Sequence, residues 1–330
     1  MASAMPNPRR GQRRATHAAS VGVPRDARDT RSSPVLAPKA KPERTLVGVL
    51  ALLASTALFP FSDVAAKLLT TDLPALEVAW LRYLVFVVMT LPVLLRGRAG
   101  LATARPGLQL GRALASVLAT SIAIVSFSFL PVAESTAIGF LAPVIVTALA
   151  ALFLGERVGL GRWGAALVGL AGVLIIVQPG SAAFRAASLI PLAGSIVGAL
   201  SAITTRMVKD ERPDATLFYS AIVGFVVLSV PVALQWHTPT WQQVAVGGIV
   251  GFFATLASLM QVFAYRNAAA SLLAPFSYTQ LVWAGGLGYA VFGTVPGVAM
   301  LCGTGVIAAS GLHTAWRETT VARHSRGADA

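Results

Sequence analysis

From Thr45 to Ala315 the chain is a succession of ten apolar runs, each of roughly 18 to 23 residues, the length an α-helix needs to cross about 30 Å of hydrocarbon. The runs lie near 46–68, 75–95, 109–130, 132–154, 160–177, 188–208, 215–234, 244–265, 271–292 and 295–315. Within a bilayer each backbone N–H and C=O must find its partner inside the protein, so single apolar runs of this kind fold as helices. The predicted fold is therefore all-α and polytopic, with ten transmembrane helices. Composition points the same way: 12% of the 330 residues are charged, against about 25% in an ordinary soluble domain.

The net charge of +13 invites a nucleic-acid reading until the basic residues are placed. Residues 1–44 hold ten lysines and arginines against three acids. With an even number of spans both termini share a side. On that side fall the tail, Arg96, Arg98, Arg105, Arg112, Arg157, Arg162, Arg206, Lys209, Arg212, Arg266, Arg317, Arg323 and Arg326, which is 23 of the 26. The other side holds Arg185 alone, while Lys67 and Arg82 lie within spans. The positive-inside rule then makes both termini cytoplasmic, in a multi-pass protein of the cell (inner or plasma) membrane. No nucleic acid is required; the lipid bilayer is the partner.

Residues 1–44, rich in Arg, Pro, Ala and Ser, cannot bury enough apolar surface to fold and read as a disordered basic tail. A segment on anionic headgroups, an organelle transit peptide and an upstream start codon are three readings left open. Residues 317–330 form a cytoplasmic C-terminal tail.

Halves 45–179 and 188–316 have the same layout of five spans, and their closing segments agree in detail. Leu154-Gly155-Glu156 ends span 4 as Phe292-Gly293-Thr294 ends span 9, and Gly164 and Gly172 have the same spacing as Gly303 and Gly311. An odd number of spans per repeat makes the second cross in the opposite sense, the inverted repeat of secondary transporters.

The segment that follows Leu130-Pro131-Val132, reading AESTAIGFLAPVIVTALAALFLGERVGLGRWGAALVGLAGVLIIVQPG, resembles the end of an EamA repeat of the drug/metabolite transporter superfamily. Ala264-Tyr265-Arg266, SLLAPFSYTQLVWAGGLGYAVFG and Ala309-Ser310-Gly311-Leu312 are similar to the second repeat. The resemblance covers residues 46–316 and implies a carrier whose cargo ranges from amino acids and nucleotide sugars to S-adenosylmethionine, carnitine-like compounds and drugs. Thr294 departs from the family pattern, which usually has an acid after Phe-Gly; Glu156 keeps that acid in the first repeat.

An ionisable group in hydrocarbon costs about 2.5 to 3.5 kcal/mol on insertion scales, so Asp63, Lys67, Glu77, Arg82 and Glu134 each need an account. Counting along the helices places all five towards the outer side, where they could share one vestibule. Asp63 and Lys67 at i and i+4 permit a salt bridge, as a structural lock, a gate or a proton-coupling site. Arg82 divides likewise between snorkelling and solute contact, and Glu134 at a helix start could instead complement the dipole. The run Ser277-Tyr278-Thr279-Gln280 reaches all round its helix, so part of it faces protein or water. Tyr278 and Gln280 are the first choices for a cavity, joined by Trp283, by Gln261 and Tyr265 one turn apart, and more weakly by Trp80 and Tyr83. Interfacial anchoring is the competing account of Tyr265. An aromatic box with acids would suit an amine through cation-π contact. Pro143 and Pro275 free carbonyls in mid-span and are candidate hinges. Gly194-x-x-x-Gly198 and Gly247-x-x-x-Gly251 permit close helix approach.

Catalytic signatures are missing from the sequence: no serine has a glycine two residues before it, and no phosphate-cradling loop occurs. His17, His237, His313, His324 and the single Cys302 are scattered, so neither a metal site nor a cofactor is expected. The expected function is secondary transport, import or export, of a small organic solute such as an amino acid, an amine or an S-adenosylmethionine-like compound. Proton coupling or exchange would drive it, and a homodimer is left open. The alternative is a non-transporting membrane sensor or assembly protein built on a transporter-derived fold.

Overall fold

Six of the ten apolar runs become helices long enough to cross a bilayer. The computed structural model describes residues 42–96, 103–153, 160–180, 185–208, 211–268, 273 and 276–327. The helices in chain order are α1 (Pro42–Leu69), α2 (Ala75–Arg96), α3 (Pro106–Phe127), α4 (Val132–Gly139), α5 (Ala142–Phe153) and α6 (Leu160–Val177). After a 3₁₀ turn at Ala186–Ser188 come α7 (Leu189–Met207), α8 (Pro213–Leu234), α9 (Trp241–Asn267), α10 (Thr279–Phe292) and α11 (Val298–Gly327). Six stretches are long and apolar enough to cross a membrane: Leu46–Leu69, Ala75–Pro92, Pro106–Phe127, Ala186–Thr205, Ala215–Leu234 and Trp241–Asn267. Val132–Val146, Ala166–Val177 and Val298–His313 are shorter apolar stretches.

Three spans depart from the expected form. The ninth has a turn at Tyr278, after which α10 runs over Thr279–Phe292. The fourth is divided at Phe140-Leu141, because Pro143 has no N–H to offer the Gly139 carbonyl. Leu141 N–H instead donates to Ile138 O at 3.0 Å, a 3₁₀ step. Pro143 thus falls in the first turn of α5, where a missing donor is harmless; the irregularity is a two-residue turn between α4 and α5. The last helix continues past its apolar part to Gly327, through residues assigned from sequence to the tail. Residues 1–41, Glu156 and the second candidate hinge, Pro275, lie outside the described residues.

Local chemistry sets the ends of several helices. Pro106 and Pro213 open α3 and α8 at the position where proline is pre-organised. Thr240 and Gln243 form a reciprocal capping box on α9, with Gln243 N–H donating to Thr240 Oγ1 at 3.3 Å and Thr240 N–H to Gln243 Oε1 at 2.8 Å.

The helices belong to one unit, Ala40–Ala330. Within it α1 lies along α9, α3 along α7, α2 against α8 and α9, and α6 against α11. Small residues and hydroxyls bring these pairs together, as expected where lipid supplies no hydrophobic drive between helices. Ser55 and Ser62 of α1 donate to Ala257 O and Val250 O of α9 at 2.8 and 2.9 Å. At the α6–α11 crossing a Cβ on Gly172 would stand 2.8 Å from Gly303 O, so the two backbones touch with no side chain between them. Gly247 and Gly251 perform the expected close approach, meeting Leu81 and Val85 of α2.

Candidate functional site

A cavity of about 390 Å³ opens between α1, α2, α3, α4, α7 and α10. Its charged members are Asp63 and Arg82, and Thr120, Ser135, Thr136 and Gln280 add polar groups to a wall that is otherwise largely apolar, with Phe127 and Phe140. Asp63 reaches the site because α1 turns that face inward; Arg82 arrives from α2. Asp63 Oδ1 and an Arg82 guanidinium nitrogen are 3.9 Å apart, and the side chains are 14% and 16% exposed. That separation exceeds a hydrogen bond, so both ends keep unused donors and acceptors. Gly194 and Gly198 of α7 also line the cavity, with Ser195 between them. Ser195 Oγ lies within 2.9 Å of Pro191 O and 3.2 Å of Ile138 O, at the C-terminal end of α4.

The i, i+4 pair of Asp63 and Lys67 is not formed. Lys67 Nζ donates to Phe127 O at 2.7 Å and to Leu130 O at 2.8 Å, and stands 5.7 Å from the centroid of the Phe292 ring. Phe127 O is a C-terminal carbonyl of α3, without an intrahelical partner and at the negative end of the helix dipole, and Leu130 O belongs to the turn that follows; together they take the ammonium.

The single vestibule is likewise divided. Glu134 pairs with Arg185 at 3.7 Å in a separate cleft of about 310 Å³. Glu77 is buried, with Oε2 accepting from His237 N–H at 3.2 Å and Oε1 without a hydrogen-bond partner among the described residues. Asp63 and Arg82 alone of the five line the cavity.

Of the polar run on α10, Gln280 lines the cavity. Tyr278 lies beside it, packing against Phe140 with the rings tilted by 33° at a centroid distance of 5.2 Å and covering Gly311, where any Cβ would collide with the phenol. Gln261, Tyr265 and Trp283 line neither of the two clefts; Gln261 is half-buried, and the two aromatics are about half exposed. Trp80 is held by its indole N–H to Ser229 Oγ at 2.8 Å and by Phe225 and Trp236, and buried Tyr83 rests on Gly224.

Sequence reasoning placed Arg112 among the loop markers, yet it is buried. Its guanidinium donates to Gln109 Oε1 at 3.0 Å, Thr216 O at 2.7 Å and Ser220 Oγ at 2.8 Å, binding α3 to α8. Gln109, on the same face one turn earlier, was the available signal.

Comparison with known proteins decides what this architecture is. A family profile described as the EamA-like transporter family matches residues 46–178. An S-adenosylmethionine uptake transporter of Rickettsia bellii is 32% identical over 262 residues, covering 78% of this chain and 88% of its own. The chain belongs to the EamA-like transporter family. A riboflavin transporter of Rhizobium johnstonii is 28% identical, with 82% and 92% covered, and a pseudopaline exporter of Pseudomonas aeruginosa 24%, with 76% and 90% covered. One crystal structure superposes with a TM-score of 0.61 at 18% identity over 86% of this chain and 98% of that one, which establishes a shared fold. As a member of the EamA-like family the protein is a multi-pass membrane transporter of small solutes and not an enzyme.

Proposed function

We propose that the protein carries a small organic solute across the cell membrane by alternating access at the interface of two inverted five-helix repeats, residues 45–179 and 188–316, with both termini cytoplasmic. The observation that carries this reading is the cavity, whose wall draws α1 to α4 from one half and α7 and α10 from the other. Rocking of the halves would open such a cavity to each side in turn, driven by a gradient or by exchange. Helix pairing supports the repeat. Interchanging the halves carries the α1–α9 contact onto α7–α3 and the α1–α10 contact onto α7 with α4 and α5, and leaves α2–α8 and α6–α11 in place.

The loose Asp63–Arg82 pair suits a solute with both an anionic and a cationic group, each of which would find a counter-charge without leaving either side chain unpaired. S-adenosylmethionine, for which several relatives are named, has a carboxylate, an ammonium and a sulfonium and is the first probe to try; riboflavin is the second. Purified protein in proteoliposomes should show saturable uptake and counterflow with a member of a panel of amino acids, amines, S-adenosylmethionine and riboflavin. Flux that stays linear in concentration for every member would overturn the reading.

A further inference from the structure

The helix α4 separates two clefts. Ser135, Thr136 and Gly139 line the central cavity, whereas Ala133 and Glu134 line the second cleft. At about 100° per residue the two sets are centred on nearly opposite sides of the helix, so the partition is one helix thick.

The second cleft is enclosed by Pro131, Ile176, Gln178, Thr294 and Met300, and across it Glu134 faces Arg185. It repeats the chemistry of the central cavity in three respects. Each holds one acid and one arginine, at 3.9 Å in the first and 3.7 Å in the second. Neither pair is close enough for a direct hydrogen bond, so guanidinium donors and carboxylate lone pairs stay available to a third party. Both volumes, about 390 and 310 Å³, fall at the lower end of the ~300–1,000 Å³ typical of small-molecule sites. They differ in wetness: Arg185 is 58% exposed, against 16% for Arg82.

We infer that the second cleft is a binding site in its own right, where Glu134 and Arg185 hold the ammonium and carboxylate of a zwitterionic solute before or after it occupies the cavity of Asp63 and Arg82. The inference rests on the transport reading above. Passage between the sites requires α4 to move. Besides the packing of Val132, Ala133, Ala137 and Ile138 in the core, two side-chain hydrogen bonds among the described residues tie it to α3 and α7: one between the Ser126 and Ser135 hydroxyls, and one from Ser195 Oγ to Ile138 O at 3.2 Å. At its other end α4 joins α5 through the two-residue turn at Phe140-Leu141, where the helix direction can change.

The test uses radiolabelled S-adenosylmethionine with the full chain, in proteoliposomes for flux and in nanodiscs for equilibrium binding. Wild type should bind two molecules per chain. Glu134→Gln and Arg185→Gln should each reduce this to one and raise the half-saturating concentration for uptake about tenfold. A merely structural ion pair would lower the melting temperature and leave half-saturation where it was. In a C302A background, which removes the only native thiol, S126C/S135C places two thiols where the hydroxyls meet. Oxidation should stop flux reversibly while one molecule per chain still binds. One molecule per wild-type chain, an unmoved half-saturation in both neutral variants, or full flux through the oxidised double-cysteine protein would each overturn the second site alone. A wild type with neither flux nor binding would overturn the transport reading for this probe, and the second site with it.

Discussion

Asp63 and Lys67 stand one turn apart on α1 yet serve different helices: Asp63 faces Arg82 of α2 at 3.9 Å, while Lys67 closes the C-terminus of α3 through two carbonyls at 2.7 and 2.8 Å. The one lies in the cavity wall; the other fastens the frame around it.

Neutralising either member of the cavity pair leaves its partner uncompensated in a poorly hydrated wall. Asp63→Asn and Arg82→Gln should each lower stability by about 1–3 kcal/mol, and the double variant by less than the sum. Each single variant should also reduce solute affinity about tenfold, equivalent to ~1.4 kcal/mol. Thermal unfolding in detergent with uptake kinetics in proteoliposomes checks both, and additive stability losses with unchanged affinity would refute the pairing.

For Lys67 the prediction is reversed. Lys67→Met strips the only side-chain donor found on Phe127 O and Leu130 O among the described residues, and a buried unpaired acceptor costs about 1–3 kcal/mol. The melting temperature should fall while the half-saturating solute concentration stays within about twofold, well under the 1.4 kcal/mol that a tenfold change represents. A large shift in half-saturation at unchanged stability would return Lys67 to the gate.

Arg112 makes charge-assisted bonds to three groups through a planar fork that lysine cannot copy. Arg112→Lys should therefore destabilise by about 1.5–3 kcal/mol, despite keeping the charge. Equal melting temperatures for wild type and R112K would show that the fork geometry does not matter.

At the α6–α11 crossing, Gly172→Ala drives a Cβ against the Gly303 carbonyl, whereas Gly164→Ala meets nothing within 4 Å. The first should cost about 1–3 kcal/mol by overpacking; the second should be neutral or stabilising by up to about 1 kcal/mol. Comparing the two by thermal unfolding separates a contact effect from the general preference of helices for alanine.

Orientation is tested with single cysteines at Gly180 and Gly100 in a C302A background. A membrane-impermeant maleimide should label only the first from outside; labelling of the second alone would overturn the proposed topology.

Six of the spans were legible as helices of crossing length, because bilayer thickness dictates run length, a constraint written locally in the sequence. Pairings were not, because they depend on which carbonyl or charge another helix brings near. Lys67 shows this: one turn from Asp63 in sequence, it was captured by α3, some sixty residues away. Tyr278 and Gln280 were chosen as a pair, and a rotation of about 200° between them was enough to send one into the cavity wall and the other onto Gly311. Pro143 announced an irregularity, but whether a proline bends a helix or ends it is decided by what surrounds the freed carbonyl. Arg112 was counted correctly as a basic residue near a helix start; its burial depended on α8, which no local pattern could place beside it.

The contact of Gly172 with Gly303 leaves no compressible layer between two helices drawn from opposite halves of the chain. A rearrangement that exposes the cavity first to one side and then to the other is expected to keep this point fixed, because the two backbones there cannot be pressed closer. The crossing is thus a fiducial mark. Probe distances measured across it should be the same in every conformation, and motion elsewhere can be read against it.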